Sequence, residues 1–94
     1  MNFTEFVDSL TNDEPSGELN SLLLALWYER NGNWEKAHTL VQDIKSKEAA
    51  WIHAYLHRRE GDPGNASYWY RRAGRTTPTL SMDEEWDTIV KEML

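Results

Sequence analysis

The chain has 94 residues, no cysteine, 39% hydrophobic residues and a formal net charge of −6. That length suits one small domain, and the lack of cysteine excludes a disulfide framework and any thiolate metal site. The longest apolar run, "LLLALWY", is far short of the ~20 residues of a membrane helix. The start, "MNFTEFVDSL", has neither the basic n-region nor the apolar stretch of a secretory signal, so the expected setting is cytoplasmic with no membrane partner.

Charge is segregated along the chain. Residues 1–35 hold seven acids and one base, residues 36–75 four acids and eight bases, and residues 76–94 five acids and one base. A basic middle between acidic ends can self-associate or meet an acidic partner, whereas the overall sign argues against a nucleic-acid partner. Five tryptophans, four tyrosines and two phenylalanines supply a core of few but large pieces, each burying roughly 150–250 Å². They offset a mean hydropathy of −0.75.

Apolar residues recur with helical period throughout. Phe3, Phe6, Val7 and Leu10 form one face of a short helix over about residues 2–10, which "TNDEPSG" breaks. Leu19, Leu22, Leu23, Leu26 and Trp27 predict a second helix over about 18–31, with Gly32 placed to end it. Asn33 is a cap for a third, about 34–45, carrying Trp34, Ala37, Leu40, Val41 and Ile44. Ser46 caps a fourth, about 47–60, closed by Gly61. In "DPGN", Asp62 is an N-cap and Pro63 takes the first helical position, opening a fifth helix that runs to about Gly74. After the linker "RTTPTL", Ser81 with Glu84 forms a capping box before Trp86, Ile89, Val90 and Met93. No stretch alternates with period two, so the fold class is all-α: antiparallel helical hairpins, about six helices in one domain spanning 1–94.

An internal repeat organises the middle. Gly32, Ala37, Val41 and Ile44 match Gly61, Ala66, Tyr70 and Ala73 at a constant shift of 29 residues. The repeat-like units cover about 18–45 and 47–78, flanked by helices at about 2–10 and 82–94. Repeats of this length mark stacked helical hairpins. Leu24, Ala25, Tyr28, Gly32, Trp34, Ala37, Val41 and Ile44, followed by Ala54, Gly61, Ala66, Tyr70, Ala73 and Pro78, resemble the tetratricopeptide repeat and its Sel1-like relative. "ASYWYRRAG" is especially similar to the Sel1 pattern. The resemblance covers about residues 18–78. It implies a right-handed superhelical fragment and a non-catalytic role in binding a protein or peptide. The spacing of 29 is shorter than the ~34 of a tetratricopeptide repeat, and two units fall below the roughly three a stack usually needs. The first and last helices would then cap it, or a homodimer would complete it.

The same resemblance implies a groove. Its lining would come from Glu48, Trp51, Tyr55, Arg58 and Arg59 of the fourth helix and Leu19, Leu22, Leu26, Glu29 and Arg30 of the second. Of these, Trp51, Tyr55, Arg58, Arg59, Glu29 and Arg30 are the expected binding residues, since aromatic anchors beside arginines suit a peptide carrying carboxylate or phosphate. Leucines at Leu22 and Leu26 depart from the family's carboxylate-clamp pattern, so a C-terminal carboxylate is not implied. One alternative is a solvated basic face with the aromatics packed on a cap; another is a homodimer on the same face, with the acidic ends of one chain meeting the basic middle of another.

His53 and His57 stand i, i+4 on one helix face, the spacing at which two imidazoles share an ion. Ala54 sits where a metalloprotease motif needs its glutamate, and Glu60 lies ~10 Å along the helix from His53, too far to share its ion. A third ligand must come from elsewhere, and His38 is the remaining histidine. In the repeat alignment His53 and His57 replace Leu24 and Tyr28, so the expectation is packing, with a metal or catalytic role as the weaker reading. Arg71, Arg72 and Arg75 end the fifth helix, while Asp83, Glu84, Glu85 and Asp87 open the sixth, each set complementing a helix dipole. With no serine elbow, phosphate loop or triad pattern, no enzyme activity and no cofactor are expected.

Overall fold

A computed structural model describes residues 1–94 as six helices and no strand. They are α1 (Phe3–Ser9), α2 (Ser21–Arg30), α3 (Trp34–Val41), α4 (Lys47–Glu60), α5 (Pro63–Arg72) and α6 (Met82–Met93). Each begins at a polar side chain that accepts from an otherwise orphaned backbone N–H: Asn2, Asn20, Asn33, Ser46, Asp62 and Ser81. At Asn2 and Ser81 the cap is a reciprocal box with Glu5 and Glu84.

Helices α2 and α3 pack as one hairpin and α4 and α5 as another, with α3 against α4 and α6 against both α2 and α4. Their C-termini share one device. After α2, the N–H of Asn33 donates to the Tyr28 carbonyl and that of Gly32 to Glu29; after α4, Asp62 donates to His57 and Gly61 to Arg58. These paired bonds satisfy the last carbonyls only if the residue between them is left-handed. Gly32 and Gly61 both have φ of 85°, a region where a side chain is strained.

Helix α4 is the hub. Residues 49–57 are buried without a break, so no face of its middle is polar and solvated. The core is a single cluster of 20 buried hydrophobic residues drawn from all six helices. Indole N–H groups tie the elements across it. Trp27 donates to Ser9 at the end of α1, Trp34 to the Leu56 carbonyl, Trp51 to Glu85 and Trp86 to the Leu26 carbonyl. Each satisfies a polar atom that its own burial would otherwise strand.

Two boundaries differ from expectation. Helix α2 starts three residues later than its apolar pattern, because the Asn20 side chain caps the Leu23 N–H. Helix α3 ends at Val41, and Ile44, expected on its apolar face, is 38% exposed in the turn beyond. Ala73, placed opposite it in the sequence alignment, stays buried, as do Ala37, Ala66, Val41 and Tyr70.

Gly61→Ala is expected to cost about 1–2 kcal/mol through left-handed strain alone, because a Cβ there meets nothing within 4 Å. Urea unfolding checks this. Gly17→Ala, equally open but without positive φ, should unfold at the wild-type midpoint.

Candidate functional site

Helix α6 packs across α2 and α4, over residues that were expected to line a groove. Trp51 and Tyr55 are 5% and 0% exposed, so of the readings of this face the aromatics follow the packed one and are not open to a partner. Glu85, 1% exposed, sits at the centre. Its carboxylate accepts from the Trp51 indole at 3.1 Å, the Tyr70 hydroxyl at 2.7 Å and the Arg58 guanidinium at 2.8 Å. Arg58 also donates to the Leu80 carbonyl at 2.6 Å, fixing the chain just before α6.

Above this, Trp86 lies under the Arg30 guanidinium at 4.1 Å and meets Phe6 at 5.9 Å. Arg30 and Arg59 both approach Asp83 at 3.5 Å, and Arg59 reaches Glu29 at 3.4 Å. Tyr55 donates to Glu29 at 3.0 Å. Magnitudes rank these contacts. Removing ~200 Å² of a tryptophan from water is worth about 5 kcal/mol. Pairs on a carboxylate as exposed as Asp83 are each worth about 0–1. Trp86 supplies the attraction, and the buried Glu85 fixes the angle and register.

Burial, assisted by the neighbouring carboxylates, holds the Tyr55 and Tyr70 phenols far above their ordinary range. Both remain hydrogen-bond donors at all working pH values. Burial also raises Glu29, against the opposing pull of Tyr55 and the two arginines. Of the six expected binding residues, Trp51, Arg58, Arg59 and Arg30 meet α6, while Tyr55 and Glu29 bond each other between α4 and α2. The two aromatics expected at a dimer face are buried within the one chain, while Arg30, Arg58 and Arg59 keep part of their surface exposed.

The histidines converge on the other side of α4. His38 Nε2 and His53 Nε2 are 2.9 Å apart, and one ring nitrogen from each of His38, His53 and His57 lies within 4.8 Å of the others. Tryptophans wall the cluster: Trp69 stacks on His53 at 3.8 Å and Trp34 on His38 at 4.9 Å. Glu60 holds His57 Nδ1 at 2.9 Å. Burial, reinforced by His38 and His57, pushes His53 down to about 4, and burial with the nearby His57 lowers His38 as well. His53 and His57 are buried as expected, but against other imidazoles and tryptophan rings and not against an aliphatic partner.

A third feature was not foreseen. The α3–α4 connection and α5 bound an open cleft of about 400 Å³, lined by Ile44, Lys45, Lys47, Ala50, Trp69 and Arg72 among others. Tyr68 stands beside it, 44% exposed, its hydroxyl accepting from Arg72. Arg72 also lies 5.2 Å from the Trp69 ring. In the sequence Arg72 reads as a dipole-complementing cation, and only the early end of α3 turns Ile44 toward this surface.

Compared with protein-family models, with curated proteins and with solved structures, the chain finds no match in any of the three.

Glu85→Ala would leave a buried indole, a phenol and a guanidinium without their acceptor, and is expected to cost about 3–5 kcal/mol. Chemical denaturation checks this, with Glu92→Ala as the exposed control. That residue's pairing with Arg75 is long at 3.8 Å, and its loss should cost under about 1 kcal/mol.

Proposed function

We propose that the chain is a non-catalytic, cytoplasmic binding module of the tetratricopeptide type, and that it takes a protein or peptide segment at the cleft between the α3–α4 connection and α5. One observation carries this reading: the cleft is lined by exposed Ile44 and half-buried Trp69 together with Lys45, Lys47 and Arg72, and exposed Tyr68 stands beside it on Arg72. Such a mixture gives a ligand apolar anchorage at low entropic cost, while the cations select its charge. Its volume is within the range of sites that hold a small group or a side-chain cluster.

The residues from which the tetratricopeptide resemblance implies a groove already hold α6 through Trp86 and Glu85. A partner there would have to displace a helix whose tryptophan alone contributes several kcal/mol, so the free cleft is the better seat. Acidic segments with an aromatic or branched residue are the matching chemistry, because three cations line the cleft against the single acid Asp43. The protein thus selects a partner by charge and holds it by apolar contact, with no bond made or broken.

Lys47→Glu combined with Arg72→Glu is expected to weaken partner binding at least about tenfold, while Arg71→Glu, exposed on α5 and outside the cleft, leaves it unchanged. Crosslinking with mass spectrometry in the source cells, followed by titration of the crosslinked segment, checks this. A partner that crosslinks elsewhere and binds the double variant as tightly as the wild type overturns the assignment.

A further inference from the structure

We infer that His38, His53 and His57 form a binding site for one divalent transition-metal ion of the class that prefers imidazole, with Zn2+ as the reference. This goes beyond the proposed partner binding and does not rest on it.

The donor set is the first ground. Three neutral imidazoles with no thiolate suit Zn2+, Ni2+, Cu2+ or Co2+ rather than the oxygen-seeking Mg2+ or Ca2+. Three protein ligands leave a fourth position for water or an incoming group. The geometry is the second. Ligand nitrogens about 2.0–2.1 Å from a tetrahedral ion stand roughly 3.3 Å apart. The His38–His53 pair, at 2.9 Å, needs to open by a few tenths of an ångström, and the widest separation in the cluster, within 4.8 Å, needs to close. Side-chain rotation at half-buried His38 on the short α3 accommodates both movements.

The third ground is what surrounds the ligands. Glu60 accepts from His57 Nδ1 at 2.9 Å, which leaves the Nε2 lone pair as the ligand. A carboxylate behind a metal-binding histidine in this way fixes its tautomer and raises its basicity. His53 is 4% exposed, and its Nε2, the candidate ligand atom, meets only the Nε2 of His38, a contact that an ion between the two rings would replace. Trp69 lies flat on His53, at an interplanar angle of 15°, and Trp34 on His38 at 10°. Both rings are therefore oriented in advance.

A second grouping, His57 with Glu60 and Asp62, is also close enough to share an ion. It is the weaker choice. Both oxygens of Asp62 are engaged by Asn65, one by its backbone N–H and one by its side chain, in capping α5. Glu60 is spent on His57.

Untagged protein stripped with a chelator would be titrated with Zn2+ against a chromophoric competitor, and with Co2+ monitored by visible absorption. Expected are one equivalent of each ion, a Co2+ spectrum of low-coordinate nitrogen type, and affinity at least tenfold lower in both His53→Gln and His38→Gln. Glu60→Gln should lose affinity by about tenfold or more, with the Co2+ spectrum kept. His38 is half-buried, so its variant remains a fair test if the His53 variant unfolds, as circular dichroism will report. No saturable binding by the wild type overturns the proposal, as does binding that survives both histidine substitutions, the mark of an adventitious ion at surface carboxylates. The Lys47→Glu protein, altered in the cleft away from the Trp69 ring, should bind Zn2+ normally, which separates failure of this site from failure of the cleft.

Discussion

The buried carboxylate of Glu85 is the constraint around which the helices are arranged. It accepts from Trp51 on α4, Tyr70 on α5 and Arg58 on α4, and so draws the second hairpin and α6 to one point. A charge in that position is stabilising only while all its donors stay in place. The surroundings follow from that demand: an arginine with partial access to water, a phenol kept protonated by burial, and an indole whose ring is itself covered by Arg75 at 3.4 Å. Trp86, the next residue, then has one direction left, into the space between Phe6, Leu26 and Arg30.

That arrangement explains the segregated charge. Acids gathered at the C-terminal end and bases in the middle look like materials for pairing between molecules. Within one chain they pair as Asp83 with Arg30 and Arg59, and Glu85 with Arg58. These pairs join α6 to the second and fourth helices, and the burial of Trp86 supplies most of its hold. The last helix thereby closes over the two hairpins of α2–α3 and α4–α5.

Most of the helix plan was legible because caps and glycines are local. Asn33, Ser46, Asp62 and Ser81 act within three residues of themselves, and no distant contact competes with them. Burial was less legible. A face bearing Trp51, Tyr55 and two arginines has the same composition whether it awaits a partner or lies beneath its own C-terminal helix. Adjacent Glu84 and Glu85 look interchangeable as dipole-complementing acids, yet one closes a capping box at the surface and the other is the most buried acid in the chain. The 100° turn between neighbours separates them, and only the packing of α6 says which faces inward. His38 was visible as a third histidine, but α3 had to cross α4 at the right height before it met His53.

Four of the five tryptophans use their indole N–H to bridge two separate parts of the fold, joining α1 to α2, α3 to α4, α4 to α6 and α6 to α2. Each of those protons exchanges with solvent only when its own junction opens, and each gives a separate resonance. Local opening free energies differ across a structure and follow cooperative units. Indole exchange in this protein is therefore a four-point gauge of the order in which its helices come apart. The Trp51 and Trp86 protons should report together, since both are lost when α6 lifts, whereas Trp34 reports whether the hairpins remain joined after it has gone.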